Sequence, residues 1–353
     1  MLICLSIGVG ISFISIESPA KERTGFVIES KENYFIVMSN CEKLYVRNYN
    51  NEFEIGDYLK IQGEKQTLEF TTLESSFDFG KYLNKKGINY EFECQSVSYK
   101  WKNFVRLRAF RKWFISHFNE ETQSTVKSMF FGENSSGNLV NNLNDLHLNR
   151  FASLSGLYIY FFIEIIEKVF HRFLKEKHIK VITILFLASY FIITFPKFSI
   201  FRILLMQCIS WTNKYIFKNK LTFLSIIGVA AISCLLLDFH NAYQDSFILG
   251  FGIPTLVYFL NGYTSRFKRK LWRKAVVVIG IYLAFIPFEI KYHNSLSVFL
   301  LLNQLLLSPI FMLFDLFSLI SFFGIPIYDF INWGNNVLVH LTNFLLKGFL
   351  TST

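Results

Sequence analysis

Hydrophobic and polar positions alternate in different ways along the chain. Residues 1–16, MLICLSIGVGISFISI, form one short apolar run. Between about residues 20 and 98 the apolar residues come in brief alternating stretches, GFVIE, YFIVMS, KLYVR, GDYLKIQGE and INYEFECQSV, broken by Gly, Asn or Asp. Such alternation places one set of side chains on each face of a strand, and the breaks predict turns, so this region reads as a small β-barrel or sandwich. Beyond residue 150 the runs lengthen towards the ~20 apolar residues that cross a bilayer as a helix. They fall near 151–170, 181–196, 198–212, 221–237, 246–262 and 275–290, with two more after Ser295 that Pro309 and Pro326 interrupt. The pattern predicts a polytopic α-helical membrane protein with an N-terminal β domain: an anchor helix over 1–17, the β domain over 20–98, a basic and aromatic helical linker over 99–150, and a membrane domain over 151–353. The first run is short for a span. It is read as an uncleaved anchor, against the competing reading of a signal peptide, because Pro19, Lys21 and Glu22 follow it without a small-residue cleavage site.

Composition agrees with the pattern: 52% of the 353 residues are hydrophobic and 18% aromatic. Charge orients the spans, because Lys and Arg collect in cytoplasmic loops. Residues 171–180 hold four Lys or Arg, 213–220 hold three, and 263–274 hold six with no acid. By contrast 238–245 hold two Asp and no Lys or Arg, and 291–295 are nearly neutral. The signs alternate from loop to loop and place the β domain outside the cytoplasmic membrane.

Several polar residues interrupt the apolar runs: Glu164, Arg202, Asn303, Gln304 and Asp315. Each costs free energy in hydrocarbon unless it finds a partner or lines a cavity. Arg202 can snorkel to the external interface and Asn303 can join two helices; together the group favours a polar path between helices. Upstream, WKNFVRLRAFRKWF (101–114) interleaves Lys102, Arg106, Arg108, Arg111 and Lys112 with aromatics. At 100° per residue across the whole stretch these cations do not share one face. Contact with anionic headgroups and contact with a polyanion both remain open, since cations neutralise phosphates and aromatics stack on unpaired bases. Cys41 and Cys94 fall in the external β domain and can form a disulfide there if their strands are neighbours; Cys4, Cys208 and Cys234 lie in apolar runs. The seven histidines, at 117, 147, 171, 178, 240, 293 and 340, are scattered, with no pair at zinc-ligand spacing on a plausible site. No Gly-x4-Gly-Lys-Ser/Thr loop occurs, and Ser155 has no positioned base for hydrolysis. No metal, cofactor or enzymatic activity is expected.

The order of these motifs resembles the ComEC family, whose polytopic proteins pass single-stranded DNA across the cytoplasmic membrane of naturally competent bacteria. GDYLKIQGE (56–64) and SSFDFGKYLNKKGI (75–88) are similar to the family's oligonucleotide-binding (OB)-like barrel, and KSMFFGENSSG (127–137) to the segment before its channel. RFASLSGLYI (150–159) is similar to its Ser-Gly-Leu element, with Arg150 and Tyr158 where the family usually has histidine. PKFSIFRILLM with Arg202, LLLDFHNAYQDSF with Gln244 and Ser246, and FIPFEIKYHNSLSVFLLLNQLLLSP with Asn303 follow in the family's order. Asp245 stands where the family usually has Leu. The metallo-β-lactamase-like signature of larger members, His-x-His-x-Asp-His, does not occur. The resemblance implies a DNA channel. Its capture surface would include Lys81, Lys85, Lys86, Arg106, Arg108, Arg111 and Lys112. Its channel motifs would be Arg150, Ser153, Ser155, Gly156, Tyr158, Glu164, Arg202, Gln244, Ser246 and Asn303. The resemblance also implies single-stranded DNA, membrane lipid, an external DNA receptor and a cytoplasmic ATP-driven helicase as partners, with a homo-oligomer as a further expectation. The alternative is a structural membrane protein derived from such a channel that no longer transports DNA.

Overall fold

The computed structural model describes residues 21–31, 34–40, 42–47, 53–68, 78–103, 107–131, 135–146, 148, 156–194, 197–266, 269–293, 300–322 and 324–350. The chain divides into two compact units, Met1–Arg111 with Ile227–Ile248, and Lys112–Ile226 with Leu249–Thr353.

In the first unit five strands close into a barrel: β1 (Glu22–Ser30), β2 (Tyr34–Ser39), β3 (Glu42–Arg47), β4 (Tyr58–Thr67) and β5 (Ile88–Trp101), paired in the order β1-β2-β3-β5-β4 with β4 returning to β1. All neighbours are antiparallel except β3 and β5. This arrangement fits an OB-like domain, a Greek-key barrel of five strands. Alternation does what the sequence predicts. Phe35 and Val37 of β2, Leu44 and Val46 of β3, Leu59 and Ile61 of β4 and Phe92 of β5 point inward to one core.

A helix within SSFDFGKYLNKKGI was not expected from the sequence: α1 (Phe79–Lys85) lies between β4 and β5. Asp78 caps it, accepting from the Lys81 amide at 2.9 Å, the usual role of Asp at this position. Leu83 of α1 packs with Ile36, Tyr45 and Ile88, and Phe79 and Tyr34 close the same cluster. The outward face of β2 and β3 is thus covered by the protein's own helix. The first unit also contains the turn after α8 (Phe223–Leu237) and its 3₁₀ continuation Phe239–Tyr243. Lys43 of β3 reaches this turn, bonding the Lys86 carbonyl at 2.8 Å and the Asp238 carboxylate at 2.5 Å. Gly87, at φ +77°, leaves room for the His240 ring; a Cβ there would lie 2.5 Å from His240 Nδ1.

In the second unit the linker resolves into α2 (Leu107–Ile115), α3 (Glu120–Met129) and α4 (Asn138–Asp145). Because α2 begins only at Leu107, Lys102 precedes the helix. Arg108, Arg111 and Lys112 then stand at i, i+3 and i+4 and share one side, which the reading over the whole 101–114 stretch had spread around a wheel. Phe114 and Ile115 of α2 are buried with Phe118, Phe130 and Phe131. The apolar runs become α5 (Gly156–Phe170), α6 (Glu176–Thr194), α7 (Phe198–Tyr215), α8, α9 (Asp245–Thr264), α10 (Lys270–His293), α11 (Leu300–Phe322) and α12 (Tyr328–Leu350). Among the described residues three helical segments are long and apolar enough to cross a membrane, Glu176–Thr194, Asp245–Thr264 and Leu271–Phe288, and Phe223–Leu237 and Leu306–Phe322 are shorter apolar helices. Polar bonds stitch α12 to α3 and α4: Thr125 donates to Asn335 at 2.8 Å, and Asn142 donates to Thr342 and Asn343 at 3.0 Å each. Buried Tyr190 donates to the Phe130 carbonyl at 3.1 Å, fixing the segment that follows α3.

Candidate functional site

In the second unit Arg202, in the first turns of α7, is 7% exposed. Its guanidinium carbon stands 5.7 Å from the centre of the Phe251 ring in α9, within the range of a cation–π contact. The group also packs on Gly250, where an added Cβ would lie 1.9 Å from Nη1. Only a residue without a side chain admits the guanidinium there. Pro254, one turn on, has no N–H to give to the Gly250 carbonyl. The helix ladder is therefore broken where the cation sits. The side chain is packed between helices.

One turn along α7 from Arg202, Met206 begins an open cleft of about 500 Å³ between α5, α7, α8 and α9. Its walls are mostly apolar, with Tyr160, Gln207, Ser210 and Asn261 as the polar groups. Tyr160 lies within electrostatic reach of Arg202. Met206, Gln207 and Ser210 follow Arg202 at i+4, i+5 and i+8, one side of a helix. Arg202 itself is not in the lining; the cleft presents these neutral hydrogen-bonding groups one turn along α7 from the buried cation. Gln207, Ser210, Gly250 and Asn261 were missed from the sequence. The spacing from Arg202 was the available signal for the first two, and an Asn inside LVYFLNGY for the last.

The other polar residues singled out in the apolar runs separate by environment. Glu164 is exposed and bonds Lys168 at 2.7 Å one turn on, so it does not join the buried group. Among the described residues Asn303, 2% exposed, has its amide nitrogen unpartnered, and Asp315, 2% exposed, has neither carboxylate oxygen hydrogen-bonded. Gln244 and Ser246 shape the turn into α9: Gln244 donates to Asn241 at 3.1 Å, and the Ser246 hydroxyl stands 3.4 Å from Gln244 Oε1. Arg150, Ser153, Ser155 and Arg106 lie outside the described residues. For Gly156, Tyr158 and Arg108 the helical backbone is described but no side-chain contact is.

On the barrel, Lys86 pairs with Glu29 at 3.1 Å, and Lys81 with Asp78 at 3.5 Å. Burial works against the Lys86 ammonium, but Glu29 and Tyr82 hold its pKa above the ordinary lysine value. Lys85 is exposed and makes no ion pair among the described residues, and Lys112 is exposed. Arg111 is half-buried. The expected disulfide is not formed: Cys94 is a free thiol, 3.1 Å from the Ser96 carbonyl, and burial raises its pKa. β5 pairs Cys94 with Gly63 of β4, and the parallel β3–β5 ladder sets Lys43 beside Ile88, six residues before Cys94; Cys41 itself lies outside the described residues. Deeper in the barrel Arg23 and Lys65 each approach Glu42 to 2.5 Å. Burial would raise the Glu42 carboxyl, but the two cations hold it below the ordinary carboxylate value. Asp238 is likewise held low, against burial, by His240 and Lys43.

The fold and the site define a helical membrane protein that carries a small β-barrel and a buried cation beside an interhelical cleft. The sequence profile of the Competence protein family matches residues 139–353, and the chain belongs to that family. No curated protein matches the chain, and no solved structure does. Family membership assigns a role in DNA uptake.

Proposed function

We propose that this chain conducts single-stranded DNA across the bacterial cytoplasmic membrane during natural transformation, as a multi-pass channel component with its barrel outside. The observation that carries this reading is the family match over the helical half, 139–353. The buried Arg202 and the cleft beside it support it. A polynucleotide cannot bring its phosphates through hydrocarbon uncompensated, and a guanidinium offers a fixed positive charge in fork geometry for successive phosphates. Gln207, Ser210 and Asn261 would then serve sugar and base edges without preference for sequence. An external receptor would hand over the strand, a cytoplasmic helicase would supply the energy, and the chain itself would do no catalysis. Channel opening and assembly into a homo-oligomer belong to the same proposal.

The test is uptake of labelled DNA in a competent host. Deletion should abolish uptake, the wild-type chain should restore it, and Arg202→Ala should restore less than a tenth of it at equal membrane abundance. Arg150→Ala, tested alongside, should also fall short. If deletion leaves uptake and transformation unchanged, the chain is a structural relative of such channels and the transport reading is wrong.

A further inference from the structure

We propose that the barrel carries a stacking platform for single-stranded DNA on its β1–β4–β5 side, not on the β2–β3 side by which OB-folds commonly hold oligonucleotides. The proposal rests on the transport reading for the identity of the strand; the location comes from the barrel itself. The β2–β3 side is closed, since Ile36 and Tyr45 are buried beneath Leu83 and Phe79 of α1. On the opposite side three aromatics stand in register across three neighbouring strands: Phe26 pairs with Tyr58, and Tyr58 pairs with Trp101. Phe26 is 51% exposed and Trp101 49%, and the Phe26 and Tyr58 rings lie 4.6 Å apart. Tyr58 is held by its hydroxyl, 3.0 Å from Thr24 Oγ1. Strands spaced ~4.8 Å apart make this a row of π-faces about 10 Å long, on a rigid surface.

Charge selects the occupant. Most barrel cations are neutralised: Lys21 by Glu64, Arg23 and Lys65 by Glu42, Lys43 by Asp238, Arg47 by Glu91, Lys60 by Glu22, Lys81 by Asp78 and Lys86 by Glu29. Lys100 and Lys102, which flank Trp101, make no ion pair among the described residues, and Lys102 lies 5.3 Å over the Tyr99 ring. Aromatic faces beside cations not held in a close ion pair are the two elements of sequence-tolerant single-strand binding, although Glu22, paired with Lys60, also lies within electrostatic reach of Lys100. A lipid surface fits less well. β5 starts beside Gly87, where Lys43 and His240 join the barrel to the turn after apolar α8. Trp101 is at the other end of that strand, roughly 40 Å along it at ~3.3 Å per residue.

The test uses the full-length chain in nanodiscs, with anisotropy of a fluorescein-labelled oligothymidylate read across a salt series. Phe26→Ala/Trp101→Ala should weaken binding about tenfold or more, while Trp101→Tyr stays close to wild type. Lys100→Gln/Lys102→Gln should reduce the slope of log K against log salt by about 1.4, at ~0.7 per phosphate contact. Duplex DNA of equal length, whose bases are not available for stacking, should be insensitive to the aromatic substitutions. The platform is refuted if oligothymidylate binding is unchanged in the aromatic variant at an unaltered melting temperature. It is equally refuted if that variant loses only its binding to anionic vesicles. Should the alanine variant fail to fold, an unchanged salt slope in the lysine variant refutes the platform alone. Either refutation leaves the transport reading standing if deletion still abolishes uptake; a wild-type chain that binds no single strand, with uptake unaffected by deletion, fails both.

Discussion

The barrel and the helical unit bury charge in opposite ways. In the barrel Glu42 sits between Arg23 and Lys65, with Arg23 and Glu42 side chains only 4% and 8% exposed. Each ion there has a counter-ion at hydrogen-bond distance, and the group ties β1, β3 and β4 together. In the helical unit, among the described residues, the Asp315 carboxyl has no hydrogen-bond partner on either oxygen, and the Asn303 amide nitrogen has none. A buried ion pair is part of the fold; an unpartnered polar group in an apolar helix costs stability and persists where something other than stability retains it. The proposed channel role would supply such a reason for the helical polar residues.

Breaking the barrel triad should have the largest effect. Glu42→Ala leaves the buried Arg23 and the half-buried Lys65 without this carboxylate, and removal of one member of a buried ion pair typically costs about 3–5 kcal/mol. The loss should appear as a lowered melting temperature of the barrel transition at pH 7. Glu42 and Asp238 are both held below their ordinary values, so each contributes stability that is present above the unfolded-state value of about 4 and is lost as pH falls through the lower folded value. Wild type should therefore destabilise on acidification below about pH 4, and Glu42→Ala should show a shallower dependence. A melting temperature insensitive to this substitution would erase the contrast.

The same contrast is sharpened from the other side by Asp315→Val. Removing an unsatisfied carboxyl from an apolar helix should raise stability by about 1–3 kcal/mol, read as a higher melting temperature in detergent, while uptake falls. Destabilisation by this substitution would mean that Asp315 belongs to the packing, as Glu42 does.

How much of this was legible in the sequence follows from the range of the forces involved. The five strands could be read because alternation is local, and the helices because apolar runs of this length have few alternatives. α1 was missed because seven residues bearing Gly80, Tyr82 and Asn84 have weak intrinsic helix preference; its Asp78 cap and the burial of Leu83 against β2 and β3 sustain it. Arg202 could be singled out as an unusual residue, but not its environment. That depends on Gly250 and Pro254, some fifty residues on, and neither looks functional by itself. For Glu164 the sequence placed the carboxylate in an apolar run but did not reveal its partner, Lys168 one turn on.

Gly250→Ala tests the Arg202 environment at little cost to the fold. The methyl would meet Nη1, the far end of a flexible side chain, so the arginine can swing away, and the exchange regains up to about 1 kcal/mol of helix propensity. Stability should stay within that margin while uptake drops to the level of Arg202→Ala. Equal uptake in wild type and Gly250→Ala would show that the packed position of the guanidinium does not matter.

The smallest effect should come from Glu164→Gln. The pair with Lys168 is exposed, with the side chains 62% and 74% accessible, and an exposed i,i+4 ion pair contributes about 0.3–0.5 kcal/mol. The glutamine keeps the shape and one hydrogen-bond acceptor. Melting temperature and DNA uptake should both match wild type within error, in a helix where the sequence alone nominated this carboxylate for the channel. A tenfold fall in uptake without a change in stability would return Glu164 to the conducting path. It would also show that exposure on the isolated chain conceals a lining surface completed by a second copy.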